Sequence, residues 1–270
     1  MRGWILAIVI TLAAATYQRM TGPSYPVRGH ATIAGTSFPL RLARTHGGDG
    51  NQLVTIAVAD TAVTGDLVWK RYPTDDPQAV TPMRREGARL VGEIPHQPQA
   101  GKVEYKVRLH RGAETVEIPA GAPIITRFKG NVPLVVLIPH IILMFCAMLY
   151  SNRAGIEVFQ RKRNLPHYTL GTSTMLFVGG MILGPIVQKT AFGAWWTGVP
   201  FGYDLTDNKT LIALVFWILA AFLVKRPRLG RVAVFVAALV TLVVFAIPHS
   251  LHGSELKYNT PQTVSENLAR

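Results

Sequence analysis

Cysteine is almost absent: Cys146 is the only one in 270 residues, and it lies inside an apolar run. No internal disulfide can form, so an exported part of this chain must be held by its core alone. Charge is sparse as well, at 16% of residues against 49% hydrophobic. The apolar residues gather in blocks instead of at core-like intervals, which describes a polytopic membrane protein and excludes an ordinary soluble domain. In the region Val27 to Ile125, paired carboxylates, a Ser/His/Asp order and a glycine-rich phosphate loop are all missing as recognisable patterns. An enzyme is therefore not expected, and no cofactor is specified.

What is present is a set of apolar runs. A helix needs about 20 mostly apolar residues to cross a hydrocarbon core of roughly 30 Å. Four runs approach that length, Val132 to Tyr150, Tyr168 to Val187, Thr210 to Val224 and Val232 to Ile247. The last two are short and borrow flanking residues. A fifth, Gly3 to Tyr17, follows Arg2. It reads as an uncleaved anchor, with a cleaved signal ending near Leu12-Ala13-Ala14-Ala15-Thr16 as the alternative that leaves four spans.

The net charge of +13 raises the question of nucleic acid. Between Ser24 and Thr126, however, 12 basic residues face 10 acidic ones. The excess sits in two links. Ser151 to His167 carries Arg153, Arg161, Lys162 and Arg163 against Glu157, and Lys225 to Arg231 carries Lys225, Arg226, Arg228 and Arg231. Such links stay in the cytoplasm, so the basicity is a topology signal and no nucleic-acid partner is expected. The expected protein is multi-pass in a bacterial inner membrane, with its N-terminus cytoplasmic and its C-terminus periplasmic. Its parts are an anchor (1–23), a periplasmic β-sandwich (24–126), a four-helix transmembrane domain (127–258) and an external tail (259–270).

The region 24–126 shows short period-two runs between Gly, Pro and Asp clusters. The clearest is Lys102 to Leu109, where Val103, Tyr105, Val107 and Leu109 share one face. Others are Val27 to Ile33, Pro39 to Arg44, Leu53 to Ala59, Asp66 to Tyr72, Arg89 to Ile94 and Thr115 to Ile118. About seven strands point to an antiparallel sandwich. Through the Gly101 to Tyr105 entry into a late strand, Leu53 to Ile118 resembles immunoglobulin-like or fibronectin type III-like domains. That resemblance is architectural and implies no activity. The expected fold is thus a five-helix transmembrane α domain plus an all-β, immunoglobulin-like external domain.

Candidate site residues cluster toward the external side. Trp195, Trp196, Phe201 and Tyr203 suit an interfacial belt. Asp204, Asp207 and Asn208 stand just before a helix and suit its N-cap, with Asp207 or Thr206 expected to accept from the orphan N–H groups. A sharper reading starts from Ile138-Pro139-His140 and its echo Ile247-Pro248-His249. With His252, Glu255 and the two aspartates, His140 and His249 form either a polar or metal-, haem- or chlorin-binding site or a structural network. Gly180 and Gly184 make a Gly-x-x-x-Gly pair, a packing signal within the chain or toward a partner helix.

Arg127-Phe128-Lys129-Gly130, Leu137 to His140, Gly184 to Lys189, Pro200 to Lys209 and Pro248-His249-Ser250 together resemble a family of uncharacterised bacterial polytopic membrane proteins, over about residues 127–258. The resemblance implies a shared membrane fold and brings no catalytic residues. The functional expectation is a non-catalytic accessory or scaffold subunit of a larger inner-membrane complex, a photosynthetic or respiratory electron-transfer assembly among the hosts considered. Membrane lipids and other membrane-protein subunits are the expected partners. A histidine-based membrane enzyme or cofactor-binding protein and a small transporter are the alternatives.

Overall fold

The computed structural model describes residues 1–160, 164–249 and 255–258. They form two compact units: one of residues 1–23 and 132–249, the other of residues 24–131 and 255–258.

The helical unit contains α1 (Arg2–Thr21), α2 (Leu134–Glu157), α3 (Leu165–Leu176), a π-helical stretch Phe177–Leu183, α4 (Gly184–Phe192), α5 (Leu205–Leu223) and α6 (Leu229–Ala246). The elements from Leu165 to Phe192 are continuous and make one span, so the described residues contain five helices long and apolar enough to cross a membrane. Two ends can be distinguished. One carries Thr21, Leu134, Phe192, Leu205 and Ala246, and is called here the aromatic end; the basic links mark the other.

The expected link from Ser151 to His167 is shorter than its sequence implied. Helix α2 continues through Glu157, and Arg153 is buried in it. Arg153 Nη2 pairs with Glu157 at 2.5 Å, one turn on, and its guanidinium lies 4.9 Å from the Tyr168 ring and 5.7 Å from that of Trp4. An arginine neutralised at i,i+4 spacing extends a helix instead of ending it. The charges Arg161, Lys162 and Arg163 lie outside the described residues.

Helix α1 is part of this unit. Ala7 is fully buried, Asn152 Nδ2 on α2 donates to Thr11 Oγ1 at 2.9 Å, and the Trp4 ring packs edge-on against Tyr150 and Tyr168.

The β unit has β1 (Val27–Ile33), β2 (Thr36–Leu42), β3 (Thr45–Gly47), β4 (Gln52–Ala57), β5 (Thr64–Arg71), β6 (Ala79–Pro82), β7 (Arg84–Glu86), β8 (Arg89–Ile94), β9 (Lys102–Arg111), β10 (Glu114–Ile118) and β11 (Ile124–Lys129). β1 and β2 form a hairpin, β4-β8-β7 a second sheet, and β3-β11-β9-β5-β6 with β10 on β9 the largest. β9 alternates as its sequence predicts, with Val103, Tyr105, Val107 and Leu109 all buried opposite β5, where Leu67 faces Val107 and Trp69 faces Tyr105. The sheet is mixed and not purely antiparallel, because β11 runs parallel to β3. Phe128 in β11 is fully buried, so the Arg127 to Lys129 segment belongs to this core. Four strands escaped the sequence reading: β3, β6 and β7 are only three or four residues long, and β11 contains Arg127 and Lys129, which resemble a membrane entry.

Residues 255–258 lie along the β unit. Leu256 N donates to Ala100 O at 3.3 Å, Glu255 pairs with Lys102, and the Tyr258 hydroxyl donates to Lys102 O at 3.1 Å. The Tyr258 ring stands 4.6 Å from the Arg71 guanidinium, which is itself held bidentately by Asp76 at 2.6 and 3.1 Å. Burial pushes the Tyr258 phenol up to about 12.

Candidate site at the aromatic end

The link from α4 to α5 is short, uncharged from Thr190 to Tyr203, and tied to the first turn of α5. Asp204 is the N-cap: its Oδ1 accepts from Thr206 N at 2.8 Å, as expected where four helix N–H groups lack partners. Its Oδ2 accepts from Thr197 Oγ1 at 3.1 Å. Asp207 and Asn208 turn back to the loop. Asp207 Oδ2 accepts from Thr197 N at 2.7 Å and Gly198 N at 3.1 Å, and Asn208 Oδ1 from Val199 N at 2.7 Å. Gln188 on α4 donates to Thr197 Oγ1 at 2.7 Å. Three successive loop amides are thus satisfied by two neighbouring side chains.

Close approach explains two glycines, of the loop to α5 at Gly198 and of the loop to itself at Gly202. A Cβ on Gly198 would lie 2.7 Å from both Asn208 Oδ1 and Asp207 Cβ, and one on Gly202 would run into the Thr197 carbonyl. With the polar groups turned inward, the apolar ones are left outside. Phe201 is 82% exposed and Tyr203 90%; Trp195 and Val199 are exposed too, while Trp196 is half-buried and donates to Val199 O at 3.1 Å.

Next to this knot, the α6 terminus is capped by two other helices. Lys209 of α5, almost fully buried, donates to Ile247 O at 2.7 Å, and Gln18 of α1 donates to both Ile247 O and Phe245 O. A cation on the last carbonyls suits the negative end of the helix dipole. Pro248 then ends the helix, and His249 is exposed. The Ile247-Pro248-His249 echo therefore marks a helix terminus.

Ile138-Pro139-His140 is different, because it lies within α2. His140 Nδ1 bonds to Gly179 O at 2.8 Å, in the π-helical stretch of the neighbouring span. No hydrogen bond or ring contact joins His140 to His249 among the described residues, and His252 lies outside them. Nor is there, among the described residues, a group of three or more His, Cys, Asp or Glu side chains able to hold a metal ion. Gly180 and Gly184 also part company. A Cβ on Gly180 would meet Thr210 Cγ2 of α5 at 2.5 Å, whereas one on Gly184 would find nothing nearer than 3.6 Å.

The Arg153 and Glu157 pair and the Thr11 to Asn152 bond are polar features that sequence reasoning missed. Ser151-Asn152-Arg153 directly after an apolar run, with Glu157 four residues beyond Arg153, was the available signal. In the β unit, His46 and His96 both bond to Gly50 O, and His110 bridges Asp66 and Thr115, so all three serve loops and strand pairing. No protein-family model, curated protein or solved structure matches this chain, and the functional reading rests on its own geometry.

Proposed function

We propose that this chain is a non-catalytic accessory subunit of a larger bacterial inner-membrane assembly, docking through its β unit and its helices. One observation carries the reading. At the aromatic end the acids and amides face inward and hold a loop, while Trp195, Val199, Phe201 and Tyr203 face outward. A catalytic site turns its titratable groups toward a cavity. Here they brace a rigid apolar knuckle, the arrangement expected of a surface that meets lipid or another protein.

In this reading the β unit is an immunoglobulin-like module in the periplasm. Its support is one core, containing buried Trp69 and Tyr105, to which the β1–β2 hairpin and the two larger sheets all contribute, with the Tyr105 hydroxyl bonded to the Ala43 carbonyl at 2.8 Å. The N-terminus is cytoplasmic and the C-terminus periplasmic. Lys225, Arg226 and Arg228 at the basic end support that orientation, as does the docking of residues 255–258 on the β unit, which keeps tail and β unit on one side.

The test is purification of the tagged chain from native membranes in a gentle detergent. Membrane proteins co-purifying in fixed stoichiometry would support the role and identify the host. A monodisperse monomer without companions, still functional in the cell, would overturn it.

A further inference from the structure

The site on the β unit that receives residues 255–258 is complete without them. Arg71 is held bidentately by Asp76, and Thr74 Oγ1 donates to Arg71 O at 2.8 Å and accepts from Asp76 N at 3.3 Å. Around Gly101, Ala100 N donates to Phe128 O at 3.1 Å, Phe128 N to Gly101 O at 2.8 Å and Gly101 N to Pro98 O at 2.9 Å. Gln97 Nε2 donates to Pro95 O at 3.1 Å. Groups fixed by their own unit before a ligand arrives lose little freedom on binding it. Ala100 stands at φ 65°, a left-handed conformation that is costly for a residue with a Cβ, and its carbonyl is the one that accepts from Leu256 N.

What the site recognises follows from what it holds. The buried Arg71 guanidinium lies 4.6 Å from the ring centre, a cation–π contact that any aromatic side chain would satisfy. The phenol narrows the choice. Tyr258 Oη donates to Lys102 O at 3.1 Å and lies 3.3 Å from Oε1 of buried Gln97. Gly101 makes room for it, since a Cβ there would stand 2.8 Å from the hydroxyl. Glu255 adds a carboxylate on Lys102 Nζ and Leu256 one main-chain amide, while Lys257 between Leu256 and Tyr258 is exposed. Any peptide with a carboxylate three residues before a tyrosine offers the same groups, whether or not it belongs to this chain.

We propose that this is a docking site for a peptide segment of a neighbouring membrane subunit, with a carboxylate three residues before a tyrosine, and that residues 255–258 occupy it in cis until such a segment displaces them. The partner rests on the accessory reading. Residues 250–254 tether the tail to the end of α6, which sets its local concentration on the order of millimolar. A competitor held beside it in the same membrane reaches a comparable concentration, and a dilute soluble protein does not.

The probe is acetyl-Glu-Leu-Lys-Tyr-amide, titrated against the full-length protein in lipid nanodiscs while the Gly101 and Lys102 amide resonances are followed by NMR. Full-length Tyr258→Ala, whose own anchor is gone, should bind it saturably, and the wild-type protein at least tenfold more weakly. Phenylalanine in place of the probe's tyrosine should weaken binding at least threefold and alanine should abolish it, comparisons that leave the protein itself unaltered. No saturable binding to Tyr258→Ala at millimolar probe, equal binding by the wild type, or indifference to the probe's tyrosine would overturn the site. A wild-type protein that is dimeric by light scattering, beside a monomeric Tyr258→Ala, would give the site to the tail of a second copy and overturn the neighbouring subunit as occupant. The titration needs no partner, so its failure is read separately from a failure to co-purify companions.

Discussion

Asp207 shows how a single carboxylate organises the aromatic end. It is 6% exposed and gathers two backbone N–H groups on one oxygen. Asp207→Ala leaves those amides without an acceptor and should destabilise the helical unit by about 2–4 kcal/mol, the range for breaking buried, charge-assisted bonds. Hydrogen exchange at Thr197 and Gly198 should then accelerate, while exchange in the β unit stays unchanged. At the other residue of interest, Tyr258, the folded pKa is raised above its unfolded value. Docking of the tail is therefore fully stabilised below about pH 10 and weakens as pH rises from there through about 12. Titration of phenolate absorbance in wild type and Tyr258→Phe should differ by one group ionising near the upper value. A Tyr258 that titrates at the ordinary value would show that it is not docked.

Helix and strand interiors set the element scale, and there the two glycines of the Gly-x-x-x-Gly pair should separate experimentally. Gly180→Val collides with Thr210 of α5 and should cost about 1–3 kcal/mol; Gly184→Ala meets ordinary contact distances and should be nearly neutral in thermal unfolding in detergent. The sequence pair looks symmetric because spacing records a shared face but not what lies opposite it. The same limit explains what was legible elsewhere. Apolar length revealed the spans, and period-two burial revealed β9, since both patterns are local. Helix α2 ran past its expected end because Arg153 and Glu157 cancel each other's charge, which is invisible to residue counting. His140 and His249 make no direct contact among the described residues, and their surroundings differ for a related reason. A repeated Ile-Pro-His motif means a break inside one helix and a terminus in the other, and only the chain that follows decides which. The N-cap was legible only to within a turn: the cap was expected at Asp207 or Thr206, but α5 begins at Leu205 and Asp204 caps it, which leaves Asp207 and Asn208 to turn back to the loop.

Over the whole molecule, the N-terminal segment answers to three distant elements: Trp4 to Tyr150 and Tyr168, Thr11 to Asn152, and Gln18 to the end of α6. A segment with such partners stays in place, so intact mass measurement of protein from native membranes should include residues Arg2–Thr21, and a mass lacking them would refute retention. These contacts also carry a consequence for the order of biosynthesis. Helix α1 leaves the ribosome first, yet Asn152 follows it by well over a hundred residues and the carbonyl of Ile247 comes later still. Thr11 meets Asn152 once α2 has been made, but Gln18 of the first helix stays unmatched until the last helix arrives. A chain that stops before α6 leaves Gln18 and Lys209 without the carbonyls of Phe245 and Ile247, so an unfinished copy differs from a finished one by two unmatched polar side chains.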